Sequence, residues 1–147
     1  MTDHILAAVF AAIVQMESGG RLDARNGDAV GPAQIKPAVV KDLIQWGHAV
    51  ELRDRETLEG SFRIFRLYTD RWVAYRRIKD TPEAMANIWR HGPSSKYVLK
   101  ELSSTYSLKV LILVQDADGG RTHPNDSKRS RPRTRVTTNV SNSENLP

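Results

Sequence analysis

With 147 residues and a hydrophobic share of 39%, the chain is long enough for one domain with a real core and too short for two ordinary ones. It contains no cysteine, which excludes disulfides and thiolate metal sites and leaves the compartment open. A net charge of +5 suits a polyanion, whether nucleic acid, an anionic membrane or an acidic wall polymer, without choosing among them.

The first element is apolar from Ile5 to Val14, with Thr2 or Asp3 as its cap, and runs as a helix to about Glu17. A signal-peptide origin for this stretch is disfavoured because Asp3 precedes it and no Lys or Arg does. It is also too short to span a bilayer, so a core helix is expected and no transmembrane segment. Residues 18–30 hold Gly19, Gly20, Asn26, Gly27 and Asp28, which predicts a loop or a small irregular hairpin. Pro37 sets the first turn of a second helix that ends near Trp46, with Gly47 as its stop.

Asp54 is expected to open a long helix. Leu58, Phe62, Phe65, Leu67, Tyr68, Trp72 and Tyr75 recur there at helical spacing, while Arg63, Arg66, Arg71 and Arg76 take the other side. Thr81 before Pro82 caps a further helix through Trp89 that stops at Gly92-Pro93. One more helix is expected from about Ser95 to Ser104, followed by an apolar run from Leu108 to Val114. From residue 116 onward the chain is polar, with basic residues Lys128, Arg129, Arg131, Arg133 and Arg135, and too little apolar surface to offset ordering. The expected division is therefore a mainly helical domain over 1–115 and a disordered basic tail over 116–147.

The abrupt change at Gln15-Met16-Glu17-Ser18-Gly19-Gly20 ends an apolar helix on a carboxylate. A carboxyl group at such a junction is attached to a buried element and points toward whatever the next loop covers. Cleavage of a glycosidic bond needs a positioned acid of this kind, because the leaving oxygen must be protonated as the bond breaks.

Glu17-Ser18 followed by Gly31-Pro32-Ala33-Gln34-Ile35 resembles the catalytic region of soluble lytic transglycosylases and goose-type lysozymes. Two later motifs of that family are similar to Ile88-Trp89-Arg90-His91-Gly92-Pro93 and to Tyr106-Ser107-Leu108-Lys109-Val110-Leu111. The three stand in the family's order and cover roughly residues 3 to 111. The resemblance implies a mainly α, lysozyme-like domain with a substrate cleft between the loop of residues 18–30 and the turn at Trp89–Pro93. It also implies peptidoglycan glycan strands as the partner, action as a monomer, and a periplasmic or extracellular site, or the cytoplasm before lysis if the source is a phage.

Carried over by residue, the resemblance makes Glu17 the acid/base. Gln34 then bonds the sugar or orients Glu17, unless it is a surface glutamine at a helix start. Gly31 lets backbone approach the substrate. Ser18 bonds an N-acetyl group or satisfies loop backbone, and Tyr106 bonds the catalytic carboxyl or is an ordinary core tyrosine. Trp89 stands where the family has Tyr and suits stacking on a sugar ring. Arg90 stands where the family has Asn; it either disturbs that subsite or pairs with a substrate carboxylate. His91 reads as a loop histidine.

Lytic transglycosylases need one carboxylate because the substrate's own N-acetyl and 6-hydroxyl groups complete the reaction, whereas inverting and retaining hydrolases use two. Asp23 and Asp28 lie in the loop after Glu17 but read as turn formers, which favours the single-acid mechanism with a 1,6-anhydro product. A hydrolytic muramidase and a non-catalytic wall-binding protein of the same fold are the alternatives. No cofactor or metal is expected: His4, His48, His91 and His123 lack ligand spacing, and Asp116-Ala117-Asp118-Gly119-Gly120 lacks the rest of a calcium loop. The basic tail has no interleaved aromatics, so no specific nucleic acid is expected as partner.

Overall fold

The computed structural model describes residues 1–119, and the chain over that span is mainly helical with one two-stranded sheet. Helix α1 (Asp3–Ser18) is capped by the Thr2 side chain, which accepts from the Ile5 amide. It ends at Gly19, whose φ of 63° is the left-handed value that closes helices without strain for a residue lacking Cβ. The next segment folds as a minimal antiparallel hairpin of β1 (Arg25–Asn26) and β2 (Ala29–Val30), and Val30 also bridges to Ile35. Helix α2 (Pro37–Gln45) follows, with proline in its first turn as expected.

The long helix does not start at Asp54. Residues 52–56 form a separate 3-10 helix (Leu52–Glu56), in which the Asp54 carboxylate accepts from the Glu51 amide, and α3 (Leu58–Arg76) begins afterwards under a Thr57 cap. Of the apolar positions of α3, Ile64, Phe65 and Tyr68 are buried, whereas Leu58 and Tyr75 face solvent. Helix α4 (Pro82–His91) carries the expected Thr81 cap, accepting from the Ala84 amide, and stops at Gly92. His91 is therefore the last residue of a helix and not a loop residue.

The stretch expected to be one helix over Ser95–Ser104 is a four-residue turn, α5 (Lys96–Leu99), and the chain then breaks at Glu101, whose φ is 49°. A buried polar cluster fixes that break. The Asn87 amide donates to the Leu102 carbonyl at 2.9 Å, and the Ser104 hydroxyl donates to the Asn87 side-chain carbonyl at 2.6 Å. The apolar run becomes α6 (Thr105–Gly119), which passes the expected domain end at Gln115 by four residues. The rest of the expected tail, with its basic residues, lies outside the described residues.

Helix α6 packs against both α1 and α4, and α3 packs against α1, α2 and α4. The core between them contains Val9, Phe10, Ile13, Val40, Leu43, Ile64, Phe65, Met85, Ile88 and Val110. Each fully buried aliphatic or Phe side chain there contributes on the order of 1.5–3 kcal/mol relative to exposure, an upper bound for a chain that is never fully extended when unfolded. Phe10 touches both Phe62 and Phe65, at ring separations of 5.1 and 5.5 Å, which ties the first helix to the long one. No helix among the described residues is long and apolar enough to cross a membrane.

Candidate active site

The last turn of α1 brings Glu17 to the wall of a cavity of about 540 Å³. The lining comes from separate parts of the chain: Asn26, Asp28 and Ala29 of the hairpin, Gln34 to Lys36 before α2, Val39 of α2, Tyr68 of α3, and Ile88 to Arg90 with Gly92 from the end of α4. Glu17 is the deeper of the two charged groups in contact there, its side chain being 13% exposed against 54% for Arg90.

Both carboxylate oxygens of Glu17 are engaged. The Tyr106 hydroxyl, from the first turn of α6, donates to Oε1 at 2.8 Å across 89 residues of sequence. Arg90 places Nη1 3.6 Å from Oε2, too long for a good hydrogen bond and within range of an ion pair. The same guanidinium lies 5.6 Å from the centre of the Tyr106 ring, so the cation, the phenol and the carboxylate form one cluster. Burial pushes the Tyr106 phenol far above its usual ionisation range, the Glu17 charge and hydrogen bond push it in the same direction, and Arg90 opposes them. The hydroxyl thus remains a donor at any physiological pH. His91 is shifted downward, first by burial and then by the Arg90 charge, and its ring lies 4.5 Å from that of Tyr97.

Trp89 lines the cavity and is held by the core beneath it, edge-on to Phe65 at 5.2 Å and to Tyr68 at 6.3 Å. Gln34 also lines the cavity, but its amide nitrogen donates to the carbonyls of Ala24 at 3.0 Å and Gly31 at 2.9 Å. Both amide hydrogens are thereby committed to the loop, so Gln34 neither donates to a ligand nor bonds Glu17, and its carbonyl oxygen is the atom left to accept. Its backbone has φ 51°, unusual for a residue with a Cβ, and the two hydrogen bonds hold it in that conformation.

Three of the expected binding residues are off the cavity wall: Tyr106 meets the site only through its bond to Glu17, and Ser18 and Gly31 lie elsewhere. The Ser18 hydroxyl donates to the Val14 carbonyl at 3.0 Å, and the residue is not part of the cavity wall. Gly31 is buried against the 3-10 helix, where an added Cβ would sit 1.7 Å from the Arg55 carbonyl oxygen at a φ of 80°. Its glycine is required by chain packing and not by an approaching ligand. Of the two loop aspartates, Asp28 lines the cavity with Glu17, whereas Asp23 faces a smaller hollow beside Leu22 and Arg25.

Sequence reasoning passed over Arg55, which organises the cavity rim from behind. It is 9% exposed, its Nε donates to the Leu52 carbonyl at 2.9 Å, and its Nη1 donates to the carbonyls of Asp28 at 3.2 Å and Ile35 at 3.0 Å. One buried guanidinium thus pins both the hairpin and the Gln34–Ile35 segment to the 3-10 helix. Lys36, Asn26 and Tyr68 also belong to the wall and were not singled out; the position of Lys36 immediately after the Gln34-Ile35 motif was the available signal. Among the described residues there is no group of three or more His, Asp or Glu side chains arranged to hold a metal.

Comparison of the chain with family models, with curated proteins and with solved structures finds no match in any of the three.

Proposed function

We propose that the protein cleaves peptidoglycan glycan strands at the MurNAc-β-1,4-GlcNAc bond, with Glu17 as the single acid/base and a 1,6-anhydro sugar as the product. On this proposal the helical domain is lysozyme-like and the cavity is its substrate cleft. The observation that carries it is the hydrogen bond from Tyr106 to Glu17, a carboxylate on the wall of a cavity that Gln34, Trp89 and Gly92 also line. Residues from all three motifs of the resemblance, far apart in sequence, thereby meet around one carboxylate. A shared fold with no shared site would not require that convergence.

The chemistry proceeds in two steps. Glu17 in its acid form gives its proton to the glycosidic oxygen as the C1–O bond breaks, and the neighbouring N-acetyl carbonyl oxygen bonds to C1. Glu17, now a carboxylate, takes the proton of the 6-hydroxyl as O6 attacks C1 and displaces the acetyl oxygen. The Glu17 proton is restored, no water is consumed, and no second carboxylate is needed. Tyr106 holds Oε1 and so fixes which oxygen performs the transfer, while Trp89 offers an aromatic face to a sugar ring.

Asp28 supports a second reading, a hydrolytic muramidase, because it lines the same cavity as Glu17 and would activate water for an inverting hydrolysis. Clearing of a wall suspension by wild type, Glu17→Gln and Asp28→Asn tests both. The single-acid reading expects loss only in Glu17→Gln, whereas loss in both variants favours hydrolysis. Full clearing by Glu17→Gln would remove Glu17 from the reaction.

A further inference from the structure

Arg90 stands beside the oxygen of Glu17 that the proposed reaction would use. Its guanidinium stays protonated throughout the accessible pH range and presents only donors, so it cannot relay a proton. It stands 3.6 Å from Oε2 of Glu17 while Tyr106 holds Oε1, so a cation lies beside the one oxygen that Tyr106 leaves unbonded. Yet the Arg90 contact is loose: 3.6 Å, with the cation 54% exposed at the end of α4. Ion pairs that long and that exposed contribute little. A carboxylate arriving with a substrate competes well, because a guanidinium binds a carboxylate through two parallel hydrogen bonds when geometry allows.

The charges around the cavity agree with such an exchange. Besides Glu17, the charged groups on its wall are Asp28 from the hairpin and Lys36 before α2, and Arg90 itself. No ion pair among the described residues engages Lys36, so an anionic ligand meets two cations, one on either part of the rim. Arg90 lies in the last turn of α4, so the helix fixes its backbone while its exposed head group is free to change partner.

We propose that Arg90 is a specificity-determining residue that recognises a carboxylate carried by the glycan strand, and that this exchange frees Oε2 of Glu17 for catalysis. The inference rests on the proposed glycan cleavage and deepens it by naming the part of the substrate the cavity reads. Such a carboxylate has two sources: the lactyl group of muramic acid, free on peptide-free strands, and the stem peptide on intact ones.

The test compares wild type, Arg90→Asn and Arg90→Lys on peptide-free strands, peptide-bearing strands and a neutral chitin oligomer. Cleavage is measured on all three, and binding is measured by calorimetry in full-length protein with and without Glu17→Gln. Arg90→Asn is expected to lower affinity for carboxylate-bearing strands by about tenfold or more, the scale of a lost charged hydrogen bond, while cleavage of the neutral oligomer does not fall because Oε2 of Glu17 is already clear in that variant. Binding of the neutral oligomer should not change, and Arg90→Lys should recover only part of the loss because it lacks the paired donors. A loss confined to peptide-free strands assigns the lactyl carboxylate, and a loss confined to peptide-bearing strands assigns the stem peptide. Equal losses on neutral and anionic ligands, or no loss at all, overturn the inference. If wild type cleaves nothing but binding still discriminates through Arg90, the cleavage proposal fails and the carboxylate site stands.

Discussion

Replacing Tyr106 with Phe removes one oxygen and leaves the ring that packs beside Arg90. The lost contact is the 2.8 Å donation to Glu17 Oε1, made by a hydroxyl that burial keeps protonated. A hydrogen bond to a charged acceptor is worth roughly 1.5–3 kcal/mol, and about 1.4 kcal/mol corresponds to a factor of ten in rate. If that contact orients the reacting carboxyl, cleavage should fall by about ten- to a hundredfold. The loss should appear in kcat with KM little changed, because the hydroxyl touches the acid and not the sugar. Release of soluble fragments from purified strands gives both parameters, and a circular dichroism melt of the same preparation checks the fold. Tyr106→Phe with undiminished kcat and an intact fold would show that the hydrogen bond has no part in the chemistry. A fall in rate that tracked lost stability would instead mark Tyr106 as core.

Gly31→Ala is expected to destabilise the domain by about 2–4 kcal/mol, since it adds overpacking against the Arg55 carbonyl to a left-handed backbone. An unchanged melting temperature would return Gly31 to a ligand-facing role. Arg55→Met, which keeps the bulk and removes the guanidinium donor from the carbonyls of Leu52, Asp28 and Ile35, the last of which keeps only the Val30 amide, should cost about 2–4 kcal/mol and raise proteolysis within residues 18–35 first. Uniform proteolysis with no change in the melt would contradict that tie. At high pH the unfolded Tyr106 phenol ionises near 10.0 while the folded one holds its proton longer. Its contribution to stability is therefore complete below pH 10.0 and declines as pH rises above it, and Tyr106→Phe should flatten that decline. Tyr68 is shifted the same way by burial, so part of the slope should survive, and a variant with the full wild-type slope would refute the assignment.

Local signals were the legible ones. Thr2, Thr81, Pro37, Pro82, Gly19 and Gly92 act on their own helix ends, so their positions in the sequence were sufficient to place α1, α2 and α4. Asp54 reads locally as a cap, but its carboxylate reaches back to the Glu51 amide inside the 3-10 helix, and Thr57 three residues on is the cap that starts α3. The break after Leu99 depends on Asn87, which reaches Leu102 from another helix, and no nearby residue announces it. In the site, Glu17, Trp89, Arg90 and Gln34 were named and line one cavity, because motif spacing encodes loop ends that face it. Ser18 and Gly31 belong to the same motif but serve the chain itself, through the Val14 carbonyl and the Arg55 backbone. Arg55 could not be found from sequence, because it lies in a run of charged residues and only tertiary carbonyls distinguish it from its neighbours.

The most direct measurement is the mass of the fragments released when wild-type protein and Glu17→Gln are each incubated with purified peptidoglycan strands. Wild type should release muramyl ends lighter by one water than a hydrolysed end, the mark of the 1,6-anhydro bond. Glu17→Gln, with a helical spectrum unchanged, should release about a hundredfold less or lower still, as expected for loss of a general acid. Reducing ends of full mass would transfer the reaction to hydrolysis with Asp28 as the base. No fragments from wild type, or equal release by both proteins, would contradict glycan cleavage by Glu17.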